Sequence, residues 1–229
     1  MGVTTLSNKR INELDCVLGL DCSKYQIDIN WSKAKEAGID FALIKITEGD
    51  SYSEDKIYNL KARILDAQKN NVKFGYYHFA RPSNFNIPEY DANSEMSNIL
   101  NHYNNLPKPN FPLVLDIEAY AKNNVWPDNE KLDHMNRFIS TLINGLKEKN
   151  IGVIFYSYKS FIDTNTTPVF GTYPLWLAAY LNNPEVSLPG LPNGWKEWKI
   201  WQFTDKGRID GYDGDIDLNI MKKSFYNQF

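Results

Sequence analysis

Asp116 and Glu118 end an apolar run, "FPLVLDIEAY" at residues 111–120, with one isoleucine between them. An ionised carboxylate costs several kcal/mol to bury unless a partner compensates it. Side chains alternate across a strand. Leu113, Leu115, Ile117 and Ala119 therefore share one face, and Val114, Asp116, Glu118 and Tyr120 share the other. Both acids project the same way, with Cα atoms about 6.6 Å apart at the strand rise. Other apolar runs also end in polar groups. Asp21 follows "VLGL", and Lys45, Thr47 and Glu48 follow "FALI". Tyr77, His78 and Arg81 follow "FGY", and Asp217 and Asn219 lie in "GDIDLN". Acids on three separate strand ends predict convergence on one mouth rather than three unrelated caps.

Crowded carboxylates can bind a divalent metal, or they can split into an acid and a base as their pKa values are pushed apart. Metal hydrolases on barrels add several histidines, and this chain has three. His102 and His134 sit at surface spacing in helix-like segments, and His78 reads as a core hydrogen-bonding residue. An all-oxygen Mg²⁺ or Ca²⁺ site needs more ligands than the strand ends assemble. No metal or cofactor is therefore expected, and acid–base chemistry on a glycoside is the favoured reading. Six Trp and fourteen Tyr would supply a core and, near strand ends, stacking faces for sugars.

Positioning these groups takes a sheet. Strand-like runs fall at 17–21, 40–47, 72–79, 112–118 and 151–157, with helix-like stretches at 31–37, 54–70, 89–103 and 129–149. The last carries Leu132, Met135, Phe138, Ile139, Leu142, Ile143 and Leu146 at helical spacing. This alternation predicts βα units and a parallel sheet. Beyond Ser157, runs at 174–180, 197–203 and 214–219 are joined by "LNNPEVSLPGLPNG" and "TDKGRIDGYDGD". Neither connector reads as a crossover helix, so antiparallel hairpins are expected there. The predicted fold is α/β: an irregular, flattened TIM-like barrel of about eight strands, with helices mainly in the first two-thirds and antiparallel C-terminal strands. Such barrels place their chemistry at the C-terminal strand ends.

A chain of 229 residues, 42% hydrophobic and 23% charged, suits a single globular domain. A net charge of −3 gives no electrostatic case for nucleic acid or an anionic membrane. No run approaches the roughly 18 apolar residues of a transmembrane helix, and no Sec h-region precedes the first strand. Cys16 and Cys22 would lie about 20 Å apart on an extended segment, so free thiols are expected.

Six blocks, "GLDCSKYQIDINWSKAKEAGIDFALIKITEG", "FGYYHFARP", "PLVLDIE", "YPLWLAAY", "WKIWQFT" and "GDIDLN", resemble in order the signature blocks of glycoside hydrolase family 25. These are the Chalaropsis-type lysozymes, or muramidases, and the resemblance runs from Gly19 to Asn219. It implies hydrolysis of the β-1,4 bond between N-acetylmuramic acid and N-acetylglucosamine, with peptidoglycan glycan strands as the partner. Glu118 looks like the general acid and Asp116 its partner, while Asp21 and Asp217 match the family's other two active-site acids. Tyr77, Trp176, Tyr180 and Trp201 would wall the substrate or pack the core. Lys45 and Gln202 are further substrate-binding candidates, and Arg81 and Gln26 could contact substrate or hold strand-end loops. The expected route is net retention with substrate assistance, with a direct nucleophile or inversion as alternatives. A chitinase-type motif carries another Asp two residues before the D-x-E, where this chain has Val114. A non-catalytic glycan-binding module and a Mg²⁺-dependent hydrolase are the other readings. Residues 1–16 are expected to form a leader outside the resemblance, ahead of one catalytic domain at 17–229 that works as a monomer. Made in the cytoplasm without a Sec signal, it would reach the wall by holin-type release or through a secretion machine.

Overall fold

Among the described residues, eight strands close into a barrel and a ninth hangs on its rim. The computed structural model describes residues 6–54, 59–82, 87–122 and 124–229. The chain begins with α1 (Asn8–Glu13), β1 (Cys16–Cys22), α2 (Trp31–Glu36), β2 (Ile39–Glu48) and β3 (Tyr52–Ser53). It continues through α3 (Leu60–Lys69), β4 (Lys73–Phe79), α4 (Pro88–Tyr103), β5 (Leu113–Asp116), α5 (Lys131–Glu148) and β6 (Val153–Tyr158). It ends with α6 (Lys159–Asn165), a 3₁₀ turn, β7 (Leu175–Ala178), β8 (Ile200–Ile209), β9 (Tyr212–Lys222) and α7 (Lys223–Tyr226). The strand order is β1-β9-β8-β7-β6-β5-β4-β2-β3, and β1 pairs with β2 to close the barrel.

The barrel is mixed, as the connector lengths predicted. Pairs from β1–β2 around to β7–β8 are parallel, and β8–β9 and β9–β1 are antiparallel. One expectation is corrected: β7 and β8 are not a hairpin but run parallel. The intervening residues 179–199 hold no helix, yet they exceed the dozen or so that a crossover needs. Trp195 and Trp198 from this segment are buried in the core, covering the barrel where a helix would otherwise pack.

Alternation divides the apolar side chains in two. Leu113, Leu115, Ile117, Phe155, Leu177 and Ile220 join the larger cluster, between barrel and outer elements. Phe41, Leu43, Val114, Ile154, Trp176, Ile200 and Met221 form a smaller cluster inside the barrel. Tyr77 on β4 meets Trp176 on β7 with centroids 6.2 Å apart. These strands are not neighbours, so the contact crosses the interior. Phe41 fills the lower interior only because residue 19 is glycine: a Cβ there would lie 2.4 Å from its ring.

The helices follow their patterns with local differences. On α5, Met135, Phe138, Ile139, Leu142, Ile143 and Leu146 are buried, whereas Leu132 in the first turn is exposed. The helix-like stretch at 54–70 yields α3 only from Leu60, because Asn59 takes a left-handed backbone with φ 49°; residues 55–58 lie outside the described residues. Two histidine expectations are also corrected. His134 is buried against Trp126 with its Nε2 on Glu130, and His102 is half-buried with Nδ1 bonded to Ser53 Oγ. The loop carrying Trp126 and the short β3 cover faces that helical spacing alone assigns to solvent. At the amino end, Ser7 caps α1 and bonds Glu185, and Leu6 and Ile11 enter the outer cluster. Cys16 and Cys22 stand as free thiols at opposite ends of β1.

Replacing Gly19 with alanine should destabilise the fold by about 1–3 kcal/mol, the usual cost of overpacking a filled core. Urea denaturation measures it, and an unchanged midpoint would show that Phe41 can move aside freely.

Candidate active site

The inward face changes character at the C-terminal ends of the parallel strands. Below, it is filled by Phe41, Val114, Ile154 and Trp176; above, it carries Asp21, Asp116 and Gln202, with Asp217 and Asn219 arriving on the antiparallel β9. Asp21 and Asp217 are register partners on β1 and β9. Asp21 Oδ1 accepts hydrogen bonds from Asn219 Nδ2 at 2.7 Å and Gln202 Nε2 at 2.9 Å. The Gln202 amide also reaches Asp217 Oδ2 at 3.2 Å. Trp176 Nε1 donates to Asn219 Oδ1 at 2.8 Å, which turns the Asn219 amino group toward Asp21. Burial raises both carboxyls of the Asp21–Asp217 pair. Asp217 is raised further by the charge of Asp21, to which it is hydrogen-bonded. Two acids in this arrangement cannot both ionise cheaply and share one proton as a pair.

Across the mouth, the last residue of β5 is Asp116, 6% exposed, and its Oδ1 is buried without a hydrogen-bond partner among the described residues. Burial, then the charge of Glu118, push its pKa well up, against the pull of Lys45 and Arg81. Glu118, half-buried just past the strand, is also raised, first by burial and then by Asp21. The expected alternation holds through Ile117, which packs outward, but the strand ends at Asp116. Tyr120, expected on the acids' face, instead packs against the outer cluster beside Trp126 and Phe161.

Cations sit close by but are themselves anchored. Lys45 Nζ lies 2.5 Å from Glu48 Oε2, and Arg81 Nε lies 2.7 Å from Glu48 Oε1. Burial works against the Glu48 charge, but these two cations outweigh it and hold its pKa low. Behind them, His78 Nδ1 bonds Thr47 Oγ1 at 2.9 Å and Nε2 bonds Glu95 Oε2 at 2.7 Å. Burial pushes His78 down to about 3 and Glu95 up to about 8. Burial thus disfavours charge on both partners, and Glu95 Oε1 accepts the Arg81 backbone N–H at 2.9 Å. His78 is a core hydrogen-bonding residue, as its type and solitude predicted.

The remaining candidates separate by strand parity. Tyr77 and Trp176 are interior, and Lys45 is buried beside the acids. Tyr180 is 51% exposed at the rim, with its hydroxyl 2.8 Å from Gln202 Oε1. Trp201 is corrected: it is fully buried in the outer cluster with Nε1 on the Ala179 carbonyl, so it does not line the mouth. It neighbours the inward Gln202, and adjacent strand residues cannot face the same cavity. Gln26 and Arg63 hold the loop after β1: Gln26 Oε1 accepts the Ser23 N–H, and Arg63 donates to the carbonyls of Ser23 and Gln26. Sequence reasoning missed Tyr156, whose hydroxyl bonds Gln202 Oε1 at 2.9 Å; its parity with Ile154 was the available signal. It also missed Glu54, fully buried with Oε1 on the Lys24 N–H, because that residue read as the start of a helix. Among the described residues no group of three or more His, Cys, Asp or Glu side chains is arranged to hold a metal ion.

A β/α barrel whose strand ends gather proton-holding carboxyls has the build of a carboxylate-dependent hydrolase. Residues 20–212 match glycosyl hydrolases family 25, and the chain belongs to that family of glycoside hydrolases. It is 31% identical over 214 residues to lysozyme M1 of Streptomyces globisporus, covering 91% of this chain and 68% of that one. It is 27% identical over 222 residues to the N,O-diacetylmuramidase of a Chalaropsis species, covering 89% and 95%. The crystal structure of the bacterial lysozyme from Streptomyces coelicolor superposes with a TM-score of 0.75 at 30% identity, covering 92% and 94%.

Asp116 has a testable linkage. Its raised pKa means that the folded chain keeps a proton which the unfolded chain releases above the ordinary carboxylate range. Its contribution to stability is therefore greatest at low pH and is lost as pH rises through the folded value. Asp116→Asn should gain stability relative to the wild type on going from pH 4 to pH 8, measured by denaturant midpoints. A difference that stays constant with pH would mean that Asp116 titrates as an ordinary carboxyl.

Proposed function

We propose that this glycoside hydrolase acts on peptidoglycan, cleaving the β-1,4 bond between N-acetylmuramic acid and N-acetylglucosamine. The observation that carries the reading is the Asp116–Glu118 pair, with both pKa values raised, facing the Asp21–Asp217 pair across one mouth. The names of the relatives, a lysozyme and a diacetylmuramidase, support the substrate. Glu118, the more accessible of the two acids, gives its proton to the glycosidic oxygen as the C1–O bond breaks. The acetamido oxygen of the muramoyl unit attacks C1 from the opposite face and forms an oxazolinium ion. In this reading Asp116, 6% exposed at the end of β5 beside Glu118, accepts the acetamido N–H and orients that attack. Water then opens the ring, with Glu118 taking its proton back through base catalysis, and the product keeps the β configuration. Tyr180 at the rim and the half-buried Tyr77 offer sugar-facing surface, and Lys45 offers charge. Trp176, expected as a substrate wall, is buried in the interior filling and supports Asn219 instead.

The protein would work on wall glycan strands as a monomer, in one catalytic domain that includes, beyond the expected 17–229, the leader residues Leu6 and Ile11 packed on its core, after holin-type release or delivery by a secretion machine. Among the described residues no helix is long and apolar enough to cross a membrane.

Glu118→Gln should lose about 10²–10⁴-fold in activity, the usual contribution of a general acid. Turbidity clearing of purified peptidoglycan measures it, and a variant as active as the wild type would leave the acid unassigned. Soluble reducing ends should appear from peptidoglycan and not from chitin, and the reverse would overturn the substrate. NMR of the first product formed should show the β anomer; an initial α anomer would replace retention with inversion.

A further inference from the structure

Gln202 is 2% exposed, yet its whole hydrogen-bonding capacity is spent on four side chains. A carboxamide has two N–H donors and an oxygen with two lone pairs. The donors go to Asp21 Oδ1 and Asp217 Oδ2, and the oxygen accepts from the Tyr156 and Tyr180 hydroxyls. The acceptors on one side and the hydroxyls on the other fix which way round the amide lies. Nothing is left over for a sugar.

We propose that Gln202 is a positioning residue: its amide holds Asp21 and Asp217 side by side, and Tyr156 and Tyr180 in turn hold the amide. Register makes this possible. Gln202 pairs with Asn219 on β9 and with Ala178 on β7, so its inward side chain lies across from β1 and under the rim that carries Tyr180. Asn219 clamps Asp21 from β9 but makes no bond to Asp217, leaving Gln202 as the group that bridges the two acids.

The surroundings explain why a bridge is required. Glu118 and Asp116 press on the pair from the β5 side, and Asp205 presses from β8. Tyr77 on β4 and the Tyr156 and Tyr180 hydroxyls also face the pair and add no positive charge, and Cys22, next to Asp21 on β1, lies outward in the larger cluster. Donors to a carboxylate favour its ionised form. Removing those of Gln202 therefore moves proton binding by the pair to higher pH. The catalytic consequence rests on the hydrolase reading above; the clamp itself does not.

Gln202→Met preserves length and volume without hydrogen bonding, and Tyr156→Phe removes one of the two hydroxyls that orient the amide. Carboxyl-region infrared titration, with Asp21→Asn and Asp217→Asn assigning the bands, reads the pair directly. The step belonging to the pair should move to higher pH in Gln202→Met and by less in Tyr156→Phe. On a soluble peptidoglycan fragment kcat should fall by at least about tenfold while KM stays within about twofold, the signature of a group acting through others. An unmoved titration step in either folded variant overturns the proposal, as does a rise in KM alone, which would make Gln202 a substrate contact. Should Gln202→Met not fold, Tyr156→Phe decides. Should the wild type leave peptidoglycan intact, the hydrolase reading falls and the infrared titration still decides the clamp.

Discussion

Two carboxyl groups on paired antiparallel strands, Asp21 and Asp217, set the constraint that the upper barrel answers. Side by side and largely out of water, they cannot both ionise without cost. The barrel supplies a shared proton and oriented amide donors from Gln202 and Asn219. Each donor needs a further support: Trp176 fixes Asn219, while Tyr156 and Tyr180 fix Gln202. The result is a hydrogen-bonded layer across β1, β6, β7, β8 and β9, lying directly on the apolar filling of the interior. Trp176 belongs to both, with its ring 4.4 Å from that of Tyr156 and its indole N–H in the polar layer.

Opposite that layer, Asp116 and Glu118 stand on β5 with less support. Asp116 Oδ1 is buried without a partner among the described residues, an expensive condition that hydrogen-bonded folds avoid outside functional sites. Lys45 and Arg81 reduce the cost without removing it, since both are committed to Glu48. The cations moderate the field of the acids, and the acids still hold their protons above the ordinary range. Such a balance suits acid–base work at neutral pH and sacrifices stability for it. The buried His78–Glu95 pair performs the complementary task, fixing the end of β4 and the backbone of Arg81 from behind.

Much of this was present in the residue pattern. The D-x-E at the end of an apolar run, its parity with Val114, and the polar ends of four other runs predicted one acid-lined mouth, and the family resemblance singled out Asp21 and Asp217. Helical spacing at 129–149 and the short late connectors identified a barrel with helices crowded into its first part. The pattern was weaker where coverage came from irregular chain. The stretch at 179–199 looked too poor in helix to carry a crossover, yet its tryptophans cover the barrel wall and β7 runs parallel to β8. Trp201 looked like a sugar platform beside Gln202, although period-two alternation forbids both from facing one cavity.

The sequence alone determined which faces are apolar and which strand ends are acidic, because alternation and burial cost act locally and can be counted along the chain. Tertiary closure decided how those ends meet. Register placed Asp21 against Asp217 across 196 positions of chain and turned Gln202 from a candidate sugar contact into the bridge between them. Hydrogen-bond capacity is finite, and which four groups would claim that amide depends on the strand order around the barrel. No spacing along the chain contains that order.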